Sequence, residues 1–146
     1  MRRVLNIVKT LDSSEIPIAA IVVKNGEVLA SAFNRKEALL DVTAHAEILA
    51  IKKAEQVLGD WRLDGCSLYV NLEPCPMCAW AIIQSRISEV YFGAFDRNYG
   101  ALGSVIDLRK LHNSKLKVYG GIMEEECNKL LEDYFAHIRG KNANNR

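Results

Sequence analysis

The chain of 146 residues carries only 3 prolines and 9 glycines, and it has no repeat or low-complexity segment, which argues against a fibrous or disordered class. A net charge of only +1 excludes a domain that holds nucleic acid by bulk charge alone, so any such partner needs a local basic patch. No run is long and apolar enough to span a bilayer. The N-terminal residues Met1-Arg2-Arg3-Val4-Leu5-Asn6-Ile7 soon meet Lys9 and Asp12 and lack the apolar region of a signal peptide, so a cytoplasmic protein without membrane association is expected. Four cysteines in such a chain argue against a disulfide framework, and the close pair among them points to metal or redox chemistry.

With 49% hydrophobic residues, the sequence has enough apolar material for one core, and residues 1–146 read as a single domain. Apolar spacing predicts a short helix over 2–11, broken by Asp12-Ser13-Ser14. The Ile/Val-rich run 17–23, the Asn25-Gly26 turn and residues 28–33 predict a hairpin. A helix is expected from about Ala44 to Leu58, capped by Asp41 or Thr43 and ended by Gly59-Asp60. Strands follow at 67–72, 89–94 and 116–119, with an almost wholly apolar helix at 77–85 and a glycine-punctuated loop at 95–105. A helix over 124–139 with three acids in its first turn closes the chain, and 140–146 reads as a frayed, flexible tail. This order predicts an α/β fold, a three-layer α/β/α sandwich around a mixed five-stranded sheet.

The stretch Pro74-Cys75-Pro76-Met77-Cys78 places two thiols three positions apart between a strand and a helix, which is half of a metal site. Upstream, Thr43-Ala44-His45-Ala46-Glu47 offers an imidazole and a carboxylate at the head of another helix. Three ligands, His45, Cys75 and Cys78, are a set used by catalytic zinc, which keeps its fourth position for water. Helix N-termini favour thiolate over thiol, and bound zinc brings the pKa of water to about 7. Glu47 is placed to carry protons as general base and then general acid. A closed structural zinc site needs a fourth ligand, and the remaining Cys66, Cys127, His112 and His137 stand singly; a redox pair would not need His45 and Glu47. Cys66 and Cys127 read as buried free thiols, and His112 and His137 as surface residues.

The combination H-x-E with P-C-x-x-C is the signature of zinc deaminases of nucleobases. From Glu15 to about Phe135 the sequence resembles bacterial tRNA-specific adenosine deaminases of the cytidine-deaminase-like superfamily. The similar stretches include Glu15-Ile16-Pro17-Ile18, Asn34-Arg35, Leu72-Glu73-Pro74-Cys75, Ser85-Arg86-Ile87 and Gly93-Ala94-Phe95-Asp96 followed by Gly100-Ala101-Leu102-Gly103-Ser104. The resemblance implies one Zn2+ per subunit on His45, Cys75 and Cys78, proton transfer by Glu47, and conversion of the wobble adenosine of a tRNA anticodon to inosine. It also implies that Asn34 hydrogen-bonds the flipped base, that Asp96 lies near the target nucleotide, and that a homodimer binds the anticodon stem-loop. Read without the resemblance, Asn34 and Asp96 are turn residues.

Three positions depart from the family pattern: Ala19 where Gly is usual, Val42 where Pro or Ala is common, and Trp80 where a small residue follows Cys78-Ala79. Trp80 is expected at the pocket wall or a dimer contact. Basic surface is expected from Arg97, Arg109, Lys110, Lys115, Lys117, Arg139, Lys141 and Arg146. The alternatives are a deaminase of a free base or nucleoside such as guanine or cytosine, or a non-catalytic zinc-bound partner subunit, which would not need Glu47.

Overall fold

The computed structural model describes all residues except Ser13, His112 and Arg146, so the expectations placed on those three lie outside the described residues. Helix α1 (Arg2–Lys9) precedes the hairpin of β1 (Ala19–Lys24) and β2 (Glu27–Phe33). A single-turn helix α2 (Lys36–Leu39) and the longer α3 (Ala46–Leu58) follow, then β3 (Cys66–Leu72), α4 (Pro76–Gln84) and β4 (Glu89–Ala94). A second short helix α5 (Leu108–Leu111), β5 (Lys117–Tyr119) and α6 (Glu124–Asn144) complete the chain.

The five strands form one mixed sheet, as expected, and their order is β2-β1-β3-β4-β5. Strand β1 pairs antiparallel with both β2 and β3, whereas β3, β4 and β5 are parallel. Every strand except β1 therefore points the same way. Phe33, Leu72 and Ala94 end at one edge of the sheet, the same edge at which β1 begins. The residues that follow these ends, Asn34, Glu73 to Cys75 and Asp96, are brought together by topology alone, at the carboxyl ends where α/β sheets bind ligands.

Alternating side chains of the strands divide the core. Ala20, Val22, Leu68, Val70, Val90 and Phe92 pack against Ala46, Ala50 and Ala54 of α3 and against Ala79 and Ile82 of α4. On the opposite face, Ala19 and Ile21 meet Val4 and Val8 of α1, while Ala94 packs with Leu5, Cys127 and Leu131. Small alanines on α3 let that helix sit close to the sheet, where burial of the β-branched residues is worth about 25 cal/mol per Å2 of apolar surface.

Several boundaries differ from the pattern-based reading. The first strand begins at Ala19 rather than Pro17, because Pro17 has no N–H and Asn71 takes the place of a ladder partner. The Asn71 carboxamide accepts from the Ala19 N–H at 2.9 Å and donates to the Pro17 carbonyl at 2.8 Å. Helix α6 runs through Gly140 to Asn144, past the expected end at Arg139, so most of the expected frayed tail is helical. Helices α2 and α5 have 4 residues each, too few for a periodic signal to reveal them. Among the described residues, no helix is long and apolar enough to cross a membrane.

The Asn71→Ala variant leaves the Ala19 donor and the Pro17 acceptor without their partner inside the sheet. Its expected cost is about 2–4 kcal/mol, read as a lower urea midpoint at unchanged slope; a midpoint equal to that of the parent would show that water replaces the carboxamide freely.

Candidate active site

The metal half-sites are built from two helix caps. His45 is the N-cap of α3, with φ −74° and ψ 153°, and Cys75 is the N-cap of α4, with φ −71° and ψ 172°. Neither makes a side-chain capping hydrogen bond, so neither side chain is spent on the first amides of its helix. The expected cap of α3 is thereby corrected. Asp41 instead closes a turn of its own, accepting from the Thr43 N–H at 2.8 Å and from its hydroxyl at 2.7 Å. Pro76 occupies the first turn of α4, where its missing N–H costs nothing, and sets Cys78 one turn above Cys75.

The His45 Nδ1 atom lies 3.6 Å from Cys75 Sγ and 3.4 Å from Cys78 Sγ. Tetrahedral zinc with ordinary Zn–N and Zn–S bonds separates its nitrogen and sulfur ligands by about 3.6 Å. The three donors, whose ligand atoms all lie within 4.8 Å of one another, therefore fit a zinc ion without rearrangement. Among the described residues no fourth His, Cys, Asp or Glu joins the cluster, as a catalytic rather than a closed site requires. Cys66 and Cys127 are buried free thiols elsewhere, and His137 is exposed.

Glu47 stands two residues into the same first turn, only 5% exposed, with its carboxylate against the Cys78 thiol. Because His45 is an extended cap and not a helical residue, the two side chains reach one point despite their spacing. Burial pushes the Glu47 carboxyl up to about 7, reinforced by the charge of Cys75. The Cys78 thiol beside it holds Cys75 down to about 4, with His45 assisting. Cys75 in turn raises the His45 imidazole, and both Cys75 and burial push Cys78 up. Metal binding requires both thiols as thiolates.

A cavity of about 390 Å3 opens over these groups. It is lined by His45, Glu47 and Cys75, by the apolar Ile16, Ile18 and Leu72, and by Asn34, Asp96 and Tyr99. Asn34 is 6% exposed; its N–H donates to the Ile18 carbonyl at 2.9 Å, and its Oδ1 accepts from the Lys36 N–H at 3.4 Å. Asp96 makes the turn that its residue type predicts, accepting from the N–H groups of Asn98 and Tyr99 at 3.0 Å each, and it also borders the cavity. Both residues are turn residues and cavity-lining residues at once.

A groove of about 510 Å3 continues from the cavity, sharing Ile16, Ile18, Leu72, Asp96 and Tyr99 and adding Phe95, Arg97, Phe135 and Arg139. The sequence-based reading placed Ile16, Ile18 and Phe95 in stretches similar to the family but gave them no role at the site, and it gave none to Tyr99 or Phe135. The expected basic surface is only partly assembled. Arg97 and Arg139 line the groove, but Arg109 is paired with Asp107 at 2.7 Å. Lys115 and Lys117 flank a different depression at the Glu89 end of β4, about 20 Å away for a six-residue strand. Trp80 and Ala19 do not line the cavity: Trp80 is 39% exposed on α4, and Ala19 is buried beneath α1.

Replacement of any one donor should abolish stoichiometric metal. Cys78→Ser is expected to retain less than a tenth of the zinc of the parent by elemental analysis, and chelation of the parent should lower its melting temperature; full zinc content in Cys78→Ser would exclude that thiol as a ligand.

Residues 1–94 match the family model for the cytidine and deoxycytidylate deaminase zinc-binding region. A tRNA-specific adenosine deaminase of Bacillus subtilis (strain 168) is 44% identical over 135 residues, covering 91% of this chain and 84% of the relative. A solved structure from a study of A-to-I editing by tRNA:A34 deaminases at the wobble position of transfer RNA superposes with a TM-score of 0.86 at 41% identity, covering 90% of this chain and 97% of that one. Guanine deaminase from Nitrosomonas europaea superposes at 0.80 with 27% identity, over 92% of this chain and 82% of its own. The ligand geometry, the sheet order and these likenesses agree: the chain belongs to the zinc deaminases of the cytidine-deaminase fold and, within them, to the tRNA-specific adenosine deaminase family.

Proposed function

We propose that this chain deaminates the wobble adenosine of a tRNA anticodon to inosine by hydrolysis, in the cytoplasm. The observation that carries the choice of a polymer substrate is the continuity of cavity and groove. A pocket for a free base should enclose its ligand, whereas this one opens beside Asp96 and Tyr99 into a track lined by Phe95, Phe135, Arg97 and Arg139. Aromatic faces and cations in one groove suit unstacked bases and their phosphates. The likeness to guanine deaminase supports the same chemistry on a smaller ligand, and the substrate panel below separates the two.

His45, Cys75 and Cys78 would hold a zinc ion, which would supply Lewis-acid activation of water at neutral pH. Glu47 would take one proton from the attacking water as its oxygen bonds to C6 of the adenine, and deliver that proton to the ring nitrogen. It would then move the remaining hydroxyl proton to the amino nitrogen, so that the C6–N6 bond breaks, ammonia leaves and the C6 carbonyl forms. Ile16, Ile18 and Leu72 exclude water from the faces of the ring, and Asn34 reads its edge. Asp96 orients the target nucleotide at the cavity mouth. The buried position of Glu47 at the ligand cluster supports this role and disfavours a non-catalytic scaffold.

Two copies of the chain form the working unit in this reading. Exposed Trp80 on α4, with Val57 on the neighbouring α3 and Trp61 just beyond it, supplies an apolar surface for the second copy. Sedimentation at micromolar concentration should give twice the 16.4 kDa chain mass; a single-chain mass would refute the dimer.

The purified protein is expected to form inosine in an anticodon stem-loop bearing adenosine at the wobble position, and to leave guanine, cytosine and free adenosine unchanged. Glu47→Ala should reduce the rate at least about 100-fold, as general acid–base removal does. Arg97→Ala and Arg139→Ala should each flatten the salt dependence of stem-loop binding by about 0.7 per lost phosphate contact. Turnover of a free base without stem-loop activity would overturn the substrate assignment while keeping the chemistry.

A further inference from the structure

Glu73 is a buried carboxylate that the chemistry above leaves unused. It is 1% exposed, and none of the ion pairs among the described residues includes it. Its charge is met by the loop after β4. Oε1 accepts from the Asp96 N–H at 3.2 Å, and Oε2 accepts from the Leu102 N–H at 3.2 Å and the Ser104 N–H at 3.1 Å. The Ser104 hydroxyl donates to Oε1 as well. One side chain thus gathers both ends of a nine-residue excursion, and Gly100 at its centre lies so close that an added Cβ would come within 2.5 Å of the Glu73 carboxylate.

The loop has a direction as well as an anchor. Glu73 leads through Pro74 to Cys75, and the Pro74 carbonyl accepts from the Ala101 N–H at 2.9 Å. The anchored loop carries Asp96, whose amide Glu73 holds, and Tyr99, whose amide Asp96 holds in turn. Both stand at the mouth shared by cavity and groove, although Tyr99 is 69% exposed and has little packing of its own to fix it. A carboxylate buried without a cation is retained only where several donors converge on it.

We propose that Glu73 is a positioning residue for substrate recognition: by gathering the amides of Asp96, Leu102 and Ser104, it holds the 95–104 loop as a preformed wall of the substrate mouth. The inference rests on the reading of that cavity as the substrate site. A wall built in advance lowers the ordering cost of binding, so its loss acts on KM more than on kcat.

The test compares the zinc-loaded parent with Glu73→Gln, Ser104→Ala and the double variant. Glutamine keeps the shape but turns an amide donor toward loop donors, and Ser104→Ala removes one contact with little risk to folding. Glu73→Gln is expected to raise KM for the stem-loop about tenfold while kcat falls less than about threefold, with zinc content retained. Amide exchange at Asp96, Leu102 and Ser104 should accelerate at least about tenfold, and the double variant should be no worse than Glu73→Gln, because both act on one tether. Ser104→Ala should shift KM and exchange in the same direction, more weakly, and it carries the test if Glu73→Gln does not fold. A fall in kcat at constant KM, loss of zinc, or unchanged exchange in the loop would each overturn the proposal. If the parent turns over a free base and not the stem-loop, the functional reading fails; the exchange and zinc arms, with KM measured on that base, still decide the role of Glu73.

Discussion

The convergence of two helix N-termini on one point is the constraint on which the site depends. His45 and Cys75 occupy cap positions where Ser, Thr, Asp or Asn would ordinarily satisfy the first amides, and neither satisfies them. The partial positive charge of each helix start is therefore directed at the donors themselves, which favours thiolate over thiol. For this to work, α3 and α4 must lie side by side on one face of the sheet. The shared core of Ala46, Ala50, Ala79, Ile82, Val70 and Phe92 places them there.

Around this centre the walls are fastened by buried polar side chains, because chain segments that end strands have no ladder to hold them. Asn71 pins the segment before β1, which supplies Ile16 and Ile18. Glu15, 7% exposed, accepts from the Ala38 N–H at 2.7 Å and the Glu37 N–H at 3.2 Å and so caps α2 beside Asn34. Glu73 does the same for the loop that carries Asp96. Each exchanges hydration for several directed hydrogen bonds, a trade that a purely structural core would make with apolar residues instead. Polar groups buried at such positions mark where the fold serves a site.

Much of this was readable from local pattern. Hairpin, α4, β4 and the metal donors follow from short-range rules: a turn dipeptide, a proline at a helix start, and ligands at fixed spacing. What pattern misplaced was decided by longer-range partners. The cap of α3 falls on His45 and not Asp41, because Asp41 finds a closer donor in Thr43. The cations form no single patch, because Lys115 and Lys117 lie at the far end of the strands from Arg97 and Arg139. Trp80, adjacent in sequence to the metal helix turn, faces away from the cavity, because helix geometry sends neighbouring residues in different directions.

The amino-acid sequence by itself determined the metal donors: His45, Cys75 and Cys78 are specified by residue type and spacing, with Glu47 two residues beyond His45, since metal coordination and helix starts are both local requirements. Tertiary structure alone decided the access to that chemistry. Only the sheet order, with β1 reversed against the other four strands, carries Ile16, Asn34, Glu73 and Asp96 to one edge, and only the packing of α6 beside the loop after β4 turns a pocket into a groove. Those contacts join residues far apart in the chain, and no short-range pattern encodes them.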